Sequence, residues 1–209
     1  MATAKKTSTK KIVKAEKAVK AEKANTNIYY QLKIALQGIS PQIWRRFLVP
    51  SDIKLSSLHA VIQIVMGWTN SHLHEFRIGK DTYGPTNLDA DCAEDTADER
   101  KVKLSSVVKE KARLGYVYDF GDSWEHVITV EKILPREEGR HYPVCLAGKR
   151  NGVPEDCGGT WGYANLVTVM ANPRHREHKE MLEWLGGQYN FEYFDMDGIN
   201  KALGKLRVG

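Results

Sequence analysis

The chain reads as an α+β protein with a mainly antiparallel sheet, one helix after the second strand and a helical C-terminal part. Two observations predict this. Strand-like alternation fills the first two thirds, while helical spacing dominates after Thr160. There is no β-α-β alternation and no internal repeat, which argues against a parallel sheet.

The first strand is IYYQLKIAL, in which Tyr30, Leu32, Ile34 and Leu36 share one face. A turn from Gly38 to Pro41 leads to IWRRFLVP, a second strand ended by Pro50, with Arg45 and Arg46 implying a wet side. LSSLHAVIQIVMGW places Leu55, Leu58, Ile62, Val65 and Met66 at helical spacing, with His59 on the same face and Gly67 as the C-terminal cap. HLHEFRIG is the next strand, with His72, His74, Phe76 and Ile78 expected on one side. Residues 80–103 are polar and acidic, and read as a long solvated loop. LGYVYDF and SWEHVITVEKIL then flank Gly121-Asp122, which suits a two-residue type II′ hairpin turn. That turn would pair Asp119 with Trp124 and Val117 with His126. Asp119, Trp124 and His126 would share one face, and Tyr116, Tyr118 and Phe120 the core side. Beyond Pro135, Thr160 is the expected cap of a helix carrying Tyr163, Leu166, Val167 and Met170. Asn172 and Pro173 should open another helix ended by Gly186, and a last one should run from about Asp197 to Leu206.

Charge divides the chain into two parts. Among 209 residues there are 31 Lys and Arg and 26 Asp and Glu. Residues 1–25 hold eight lysines and two glutamates, so the remaining 23 basic and 24 acidic residues nearly cancel. Residues 1–27 are therefore expected to be a basic tail low in complexity, and residues 28–209 a single domain. The tail could touch nucleic acid through non-specific charge. The three cysteines, Cys92, Cys145 and Cys157, are odd in number and lack a CxxC pair. A disulfide framework is not expected, and a reducing cytoplasm is the simplest compartment. No apolar run approaches the roughly 20 residues that cross a bilayer, and no signal-peptide core is present at the N-terminus.

Four motifs in order, IWRRFLVP, LHAVIQIVMGWTNSHLHEF, YDFGDSWEH and PEDCGGTWGY, resemble the plasmid pRiA4b ORF-3-like family, also labelled as the passenger protein of an insertion element. The resemblance spans roughly residues 28–200. It implies an α+β domain met on plasmids, transposons and chromosomes, and it brings no established activity.

The residues themselves offer several chemistries. His59, His72, His74, Asp119, Asp122, His126, Glu155 and Asp156 form a pool of imidazoles and carboxylates, the donor set of zinc, manganese or iron sites. His72, His74, Asp119 and His126 are the candidate ligands of a divalent metal. Asp122 and Glu155 are candidate general bases, and Cys157, at a helix entry, is a candidate nucleophile. Gly158 and Gly159 could present backbone N–H groups to an anion. Arg174 and Arg176 stand where a first helical turn would favour a bound phosphate. Trp44, Arg45, Arg46 and Trp124 interleave aromatic and basic groups that can hold nucleic acid. Asp119-Phe120-Gly121 spells a kinase motif, but no glycine-rich loop or HRD stretch accompanies it. The sequence thus favours a non-enzymatic binding module for nucleic acid or a protein partner, with a cleft lined by His, Asp and Glu. The alternative is a metal-dependent hydrolase or nuclease.

Overall fold

The structure is a computed structural model describing residues 28–86, 96–137 and 139–207. The basic tail lies outside the described residues. Eight strands, β1 (Ile28–Leu36), β2 (Trp44–Pro50), β3 (His74–Ile78), β4 (Asp81–Gly84), β5 (Thr96–Asp98), β6 (Arg113–Tyr118), β7 (Trp124–Pro135) and β8 (Val144–Lys149), form one sheet in the order β5-β4-β3-β6-β7-β1-β2-β8. All neighbours are antiparallel except β4 and β5, which run parallel. The α+β class with a mainly antiparallel sheet is therefore observed.

Strand β1 (Ile28–Leu36) sits between β7 (Trp124–Pro135) and β2 (Trp44–Pro50). Its Leu32, Ile34 and Leu36 are fully buried as the alternation requires, each contributing roughly 1.5–3 kcal/mol relative to exposure. The pairing with β7 slips at Gln31/Leu32, so that Glu131 is an extra residue opposite β1. Its carboxylate collects Gln31 Nε2 at 2.7 Å and the Arg46 guanidinium at 2.6 and 2.8 Å.

Helix α1 (Leu55–Met66) lies on the core side and ends at Gly67, whose φ of 86° allows the left-handed cap. Arg45 corrects the reading of β2 as wet at both arginines. It is buried, and it donates to Val65 O at 2.8 Å, near the α1 C-terminus, and to Trp44 O and Lys149 O at 2.9 Å. Those carbonyls are an electronegative cradle for the cation. Burial nonetheless lowers its pKa to about 10.

Residues 80–103 are not one loop. They supply β4 (Asp81–Gly84), β5 (Thr96–Asp98) and a 3₁₀ turn at Glu99–Lys101, followed by the short helix α2 (Leu104–Val107). Tyr83 packs inward from β4 and the buried Glu99 tethers the turn. Residues 87–95, the most acidic stretch, lie outside the described residues.

The hairpin of β6 (Arg113–Tyr118) and β7 differs from expectation by one residue. Tyr118 pairs with Trp124 and Tyr116 with His126, across a five-residue loop from Asp119 to Ser123. Both end residues adopt positive φ, 59° and 53°. The Asp119 carboxylate accepts from Gly121 N at 2.9 Å and Asp122 N at 3.3 Å, an Asx turn that replaces the two-residue turn. One residue of register moves side chains across the sheet. Trp124 and His126 join Tyr116 and Tyr118 in the core, while Phe120 becomes exposed.

Strand β3 (His74–Ile78) borders β6, and β8 (Val144–Lys149) closes the other edge. The helical end comprises α3 (Gly159–Met170), α4 (His178–Trp184) and α5 (Met196–Leu203). Gly158, not Thr160, is the N-cap of α3. Helix α4 begins at His178 rather than Pro173, because Asn172 accepts from Arg174 N and His175 N and holds a turn there. Helix α5 is capped by Asp195, and Asn200 exchanges two hydrogen bonds with the Cys145 backbone, at 2.7 and 3.0 Å. Among the described residues no helix is long and apolar enough to cross a membrane.

Candidate functional site

Three segments converge beside the 119–123 loop. The loop is fixed to the chain before β3 by Asp119 N donating to Leu73 O at 2.8 Å. It is fixed to the entry of α3 by Asp122, whose Oδ2 accepts from Gly158 N at 3.1 Å. A Cβ on Gly159 would stand 2.7 Å from Asp122 O, and one on Gly162 1.8 Å from Cys157 O. The glycines of PEDCGGTWG thus allow close backbone packing, and Gly158 and Gly159 spend their geometry on the Asp122 loop rather than on an anion.

This packing brings His72, Asp119 and Asp156 together. One ligand atom from each lies within 4.8 Å of the other two. His72 Nε2 is 3.1 Å from Asp156 Oδ1 and 3.7 Å from Asp119 Oδ2. It is buried as an atom yet makes no hydrogen bond. His72 Nε2 pairs with the two carboxylates when it carries a proton; without that proton the three atoms face one another as acceptors that a cation can bridge. The donor set fits a cation. Ligand distances of about 2.0–2.2 Å for zinc, or 2.3–2.6 Å for calcium, put adjacent ligand atoms about 3–4 Å apart, and both His72 distances fall in that span. Asp156 is exposed, so its carboxylate is free to adjust.

Tyr118 braces the site from below. Its hydroxyl accepts from Ser71 N at 3.0 Å and His72 N at 3.3 Å and donates to Glu155 Oε1 at 2.5 Å. Burial first, and then the Glu155 carboxylate, push the Tyr118 pKa up. Burial pushes Glu155 up, but hydrogen bonds from Thr69 and Tyr118 outweigh it and leave the pKa low. Glu155 is therefore a poor proton acceptor. Asp122 is engaged with Gly158. Both candidate bases hold the backbone of the site together.

The remaining predicted ligands go elsewhere. His74 points into the core and meets Glu99 Oε2 at 2.8 Å. Its ring stacks on His59, with centroids 3.4 Å apart. His59 in turn belongs to a closed ring of hydrogen bonds. Its Nε2 meets Asn70 Oδ1 at 2.7 Å and its Nδ1 meets Tyr116 Oη at 2.8 Å. Gln63 donates to Tyr116 Oη at 3.2 Å and accepts from Asn70 N at 2.9 Å. Burial, then the neighbouring His74, lowers the His59 pKa to about 4. The neutral ring donates from Nε2 and accepts at Nδ1, which satisfies every partner. His126 is buried too, with Nδ1 3.3 Å from Tyr116 O, and burial lowers its pKa to about 4. His74 and His126 are thus separated from His72 and Asp119. Asp156, named only in the wider pool of carboxylates, takes their place; the glycine pair that follows Cys157 was its only sequence signal.

Cys157 does not behave as an activated nucleophile. Burial, followed by Asp122 and Asp156, raises its pKa to about 12, so the thiol stays protonated at neutral pH. The aromatic-basic group is split. Arg45 and Trp124 are buried. Trp44 stays partly exposed between Lys33 and Arg46, whose charges lie 5.2 and 5.3 Å from its ring. Arg174 and Arg176 are exposed in the turn before α4, where Arg176 pairs with Glu177 at 2.8 Å. Exposed apolar side chains flank the site in the chain: Leu73 beside His72, Phe120 beside Asp119, and Trp161, 88% exposed, at the start of α3.

Fold and site together define an α+β protein with a carboxylate-histidine cluster at the end of an antiparallel sheet. The chain belongs to the Plasmid pRiA4b ORF-3-like protein family, whose model matches residues 28–198. It is 40% identical over 179 residues to "Uncharacterized protein y4hQ" of Sinorhizobium fredii, covering 84% of this chain and 91% of that one. It also resembles the crystal structure of a protein of unknown function from Methanosarcina mazei Go1. There the TM-score is 0.76 and the identity 41%, over 81% of this chain and 96% of that one.

Proposed function

We propose that the protein is a binding module whose central site holds one divalent cation on His72, Asp119 and Asp156. The observation that carries this reading is the convergence of three ligand atoms, with His72 Nε2 buried and without a hydrogen bond. A bound cation would take the place of a proton between His72 and the two carboxylates and make all three groups ligands. It would also keep outward positions open for oxygen atoms of a ligand, because Asp156 stands at the surface. Binding is favoured over hydrolysis because Asp122 and Glu155 are both committed to structural hydrogen bonds. Hydrolysis in the manner of a nuclease would need one of them to take a proton from water.

Elemental analysis of tag-free protein, purified without chelator, tests the cation. About one equivalent of zinc, manganese or iron per chain is expected. Protein that stays metal-free after reloading would remove this function. Release of product from a phosphodiester substrate, lost in Glu155→Gln, would instead favour the hydrolase.

The charge of residues 1–25 supports a second contact, in which the tail lends nucleic acid a non-specific grip. Deleting those residues should sharply reduce DNA affinity and its salt dependence. Affinity unchanged by the deletion would remove the tail from the interface.

A further inference from the structure

The cation cluster has a neighbour. A cavity of about 270 Å³ opens between α3 and α4, and Asp156 borders both it and the cluster. Its walls include Leu166, which is buried, Met181 and the half-exposed indole of Trp184. Asn165 adds an amide that can both donate and accept. Among the described residues no Lys or Arg lines it, so the cavity itself offers nothing to a phosphate. Its volume falls just short of pockets that enclose drug-sized molecules, about 300–1,000 Å³, and suits one small ring system. A larger groove of about 710 Å³, between α3, α4 and residues 188–192, shares no lining residue with the cluster.

Resting on the cation reading, we infer that cavity and cluster are two halves of one site for a nucleoside monophosphate. The base enters between Trp184, Met181 and Leu166, where a flat uncharged ring gains apolar contact and stacking. Its polar edge meets the Asn165 amide. The phosphate reaches past Asp156 to the open positions of the cation, which supplies the positive charge that the cavity lacks. The cavity supplies the surface for the ring, and the cation supplies the positive charge for the oxyanion.

The test is calorimetric titration of the full chain with Mn²⁺, followed by AMP, UMP and ribose 5-phosphate into the Mn²⁺-loaded protein. Both nucleotides should bind at least ten times more tightly than ribose 5-phosphate, and EDTA should abolish their binding. Asn165→Leu, at an exposed helix position, should weaken nucleotide binding about tenfold. Met181→Trp, which fills the cavity, should abolish it. Both variants should keep their Mn²⁺ stoichiometry. Nucleotides that bind no better than ribose 5-phosphate, or that bind both variants unchanged, would overturn the inference while leaving the cation standing. Failure of Mn²⁺ to bind the wild-type chain would overturn the cation reading, and this inference with it.

Discussion

His72 and His74 are two residues apart and meet opposite fates. His74 starts β3, points into the core and lies against Glu99 and His59. His72 lies two residues before the start of the strand, at the rim, with two carboxylates near its Nε2 and no hydrogen bond at that atom. Around His74 each member of the His59–Asn70–Gln63–Tyr116 ring is hydrogen-bonded to its neighbours. A satisfied buried network rigidifies a core and has nothing left over for a ligand. An unsatisfied cluster at the surface has donor capacity to spare. What differs between the two histidines is their surroundings, a core network around His74 and two rim carboxylates around His72.

Breaking the inner network should have the largest effect. Glu99→Ala leaves His74 without its partner and releases the 3₁₀ turn after β5, so it should cost about 3 kcal/mol of stability. Chemical denaturation at neutral pH measures it, and a loss under 1 kcal/mol would mean the pair holds nothing.

Acid sharpens the same contrast. Folding lowers the His59 and His126 pKa values from 6.5 to about 4. Between those limits the unfolded chain binds more protons than the folded one, so stability falls as pH falls from 6.5 towards 4. Each histidine contributes up to about 3 kcal/mol to that loss. Denaturation midpoints across the window should show the slope, and His59→Gln should flatten it; an unchanged slope would put the acid sensitivity elsewhere.

At the rim the effects on stability should be small and those on ligand binding large. Asp119→Asn keeps an oxygen to accept from Gly121 N and Asp122 N but removes the anionic ligand. Stability should change by less than about 1 kcal/mol, while cation affinity should fall at least tenfold. Retained affinity would exclude Asp119 as a ligand. The smallest effect belongs to the outer face of the sheet. Glu131→Gln weakens the partly exposed pair with Arg46 and should cost no more than about 1 kcal/mol. A larger loss would mean that the bulge at Glu131 depends on that charge.

The strand and helix alternation of the core was legible because burial obeys period: Leu32, Ile34 and Leu36 are as buried as their spacing requires. The hairpin was not, because Asp119 adopts a positive φ and spends its side chain on the loop. The Gly-Asp pair shows a turn, but the side-chain bonds choose its length. The candidate site was half legible. His72 and Asp119 stood out as chemistry-bearing residues. Their partner Asp156 comes from a loop whose placement rests on Gly159 and Gly162 tolerating backbone contact, a tertiary fact. His74 and His126 misled because a buried imidazole and a ligating one have the same letter. Arg45 did so because Val65 O of α1 and Lys149 O of β8 are acceptors that the local sequence of β2 does not reveal.

The most direct test compares His72→Ala with His74→Ala for cation stoichiometry and stability on the same preparations. The expected result is that His72→Ala loses the cation and stays within about 1 kcal/mol of wild-type stability. His74→Ala should keep the cation and lose about 2 kcal/mol or more, because Glu99 is left buried and unpaired. Cation binding that survives His72→Ala, or that disappears only with His74→Ala, would contradict the assignment of the rim cluster as the functional site.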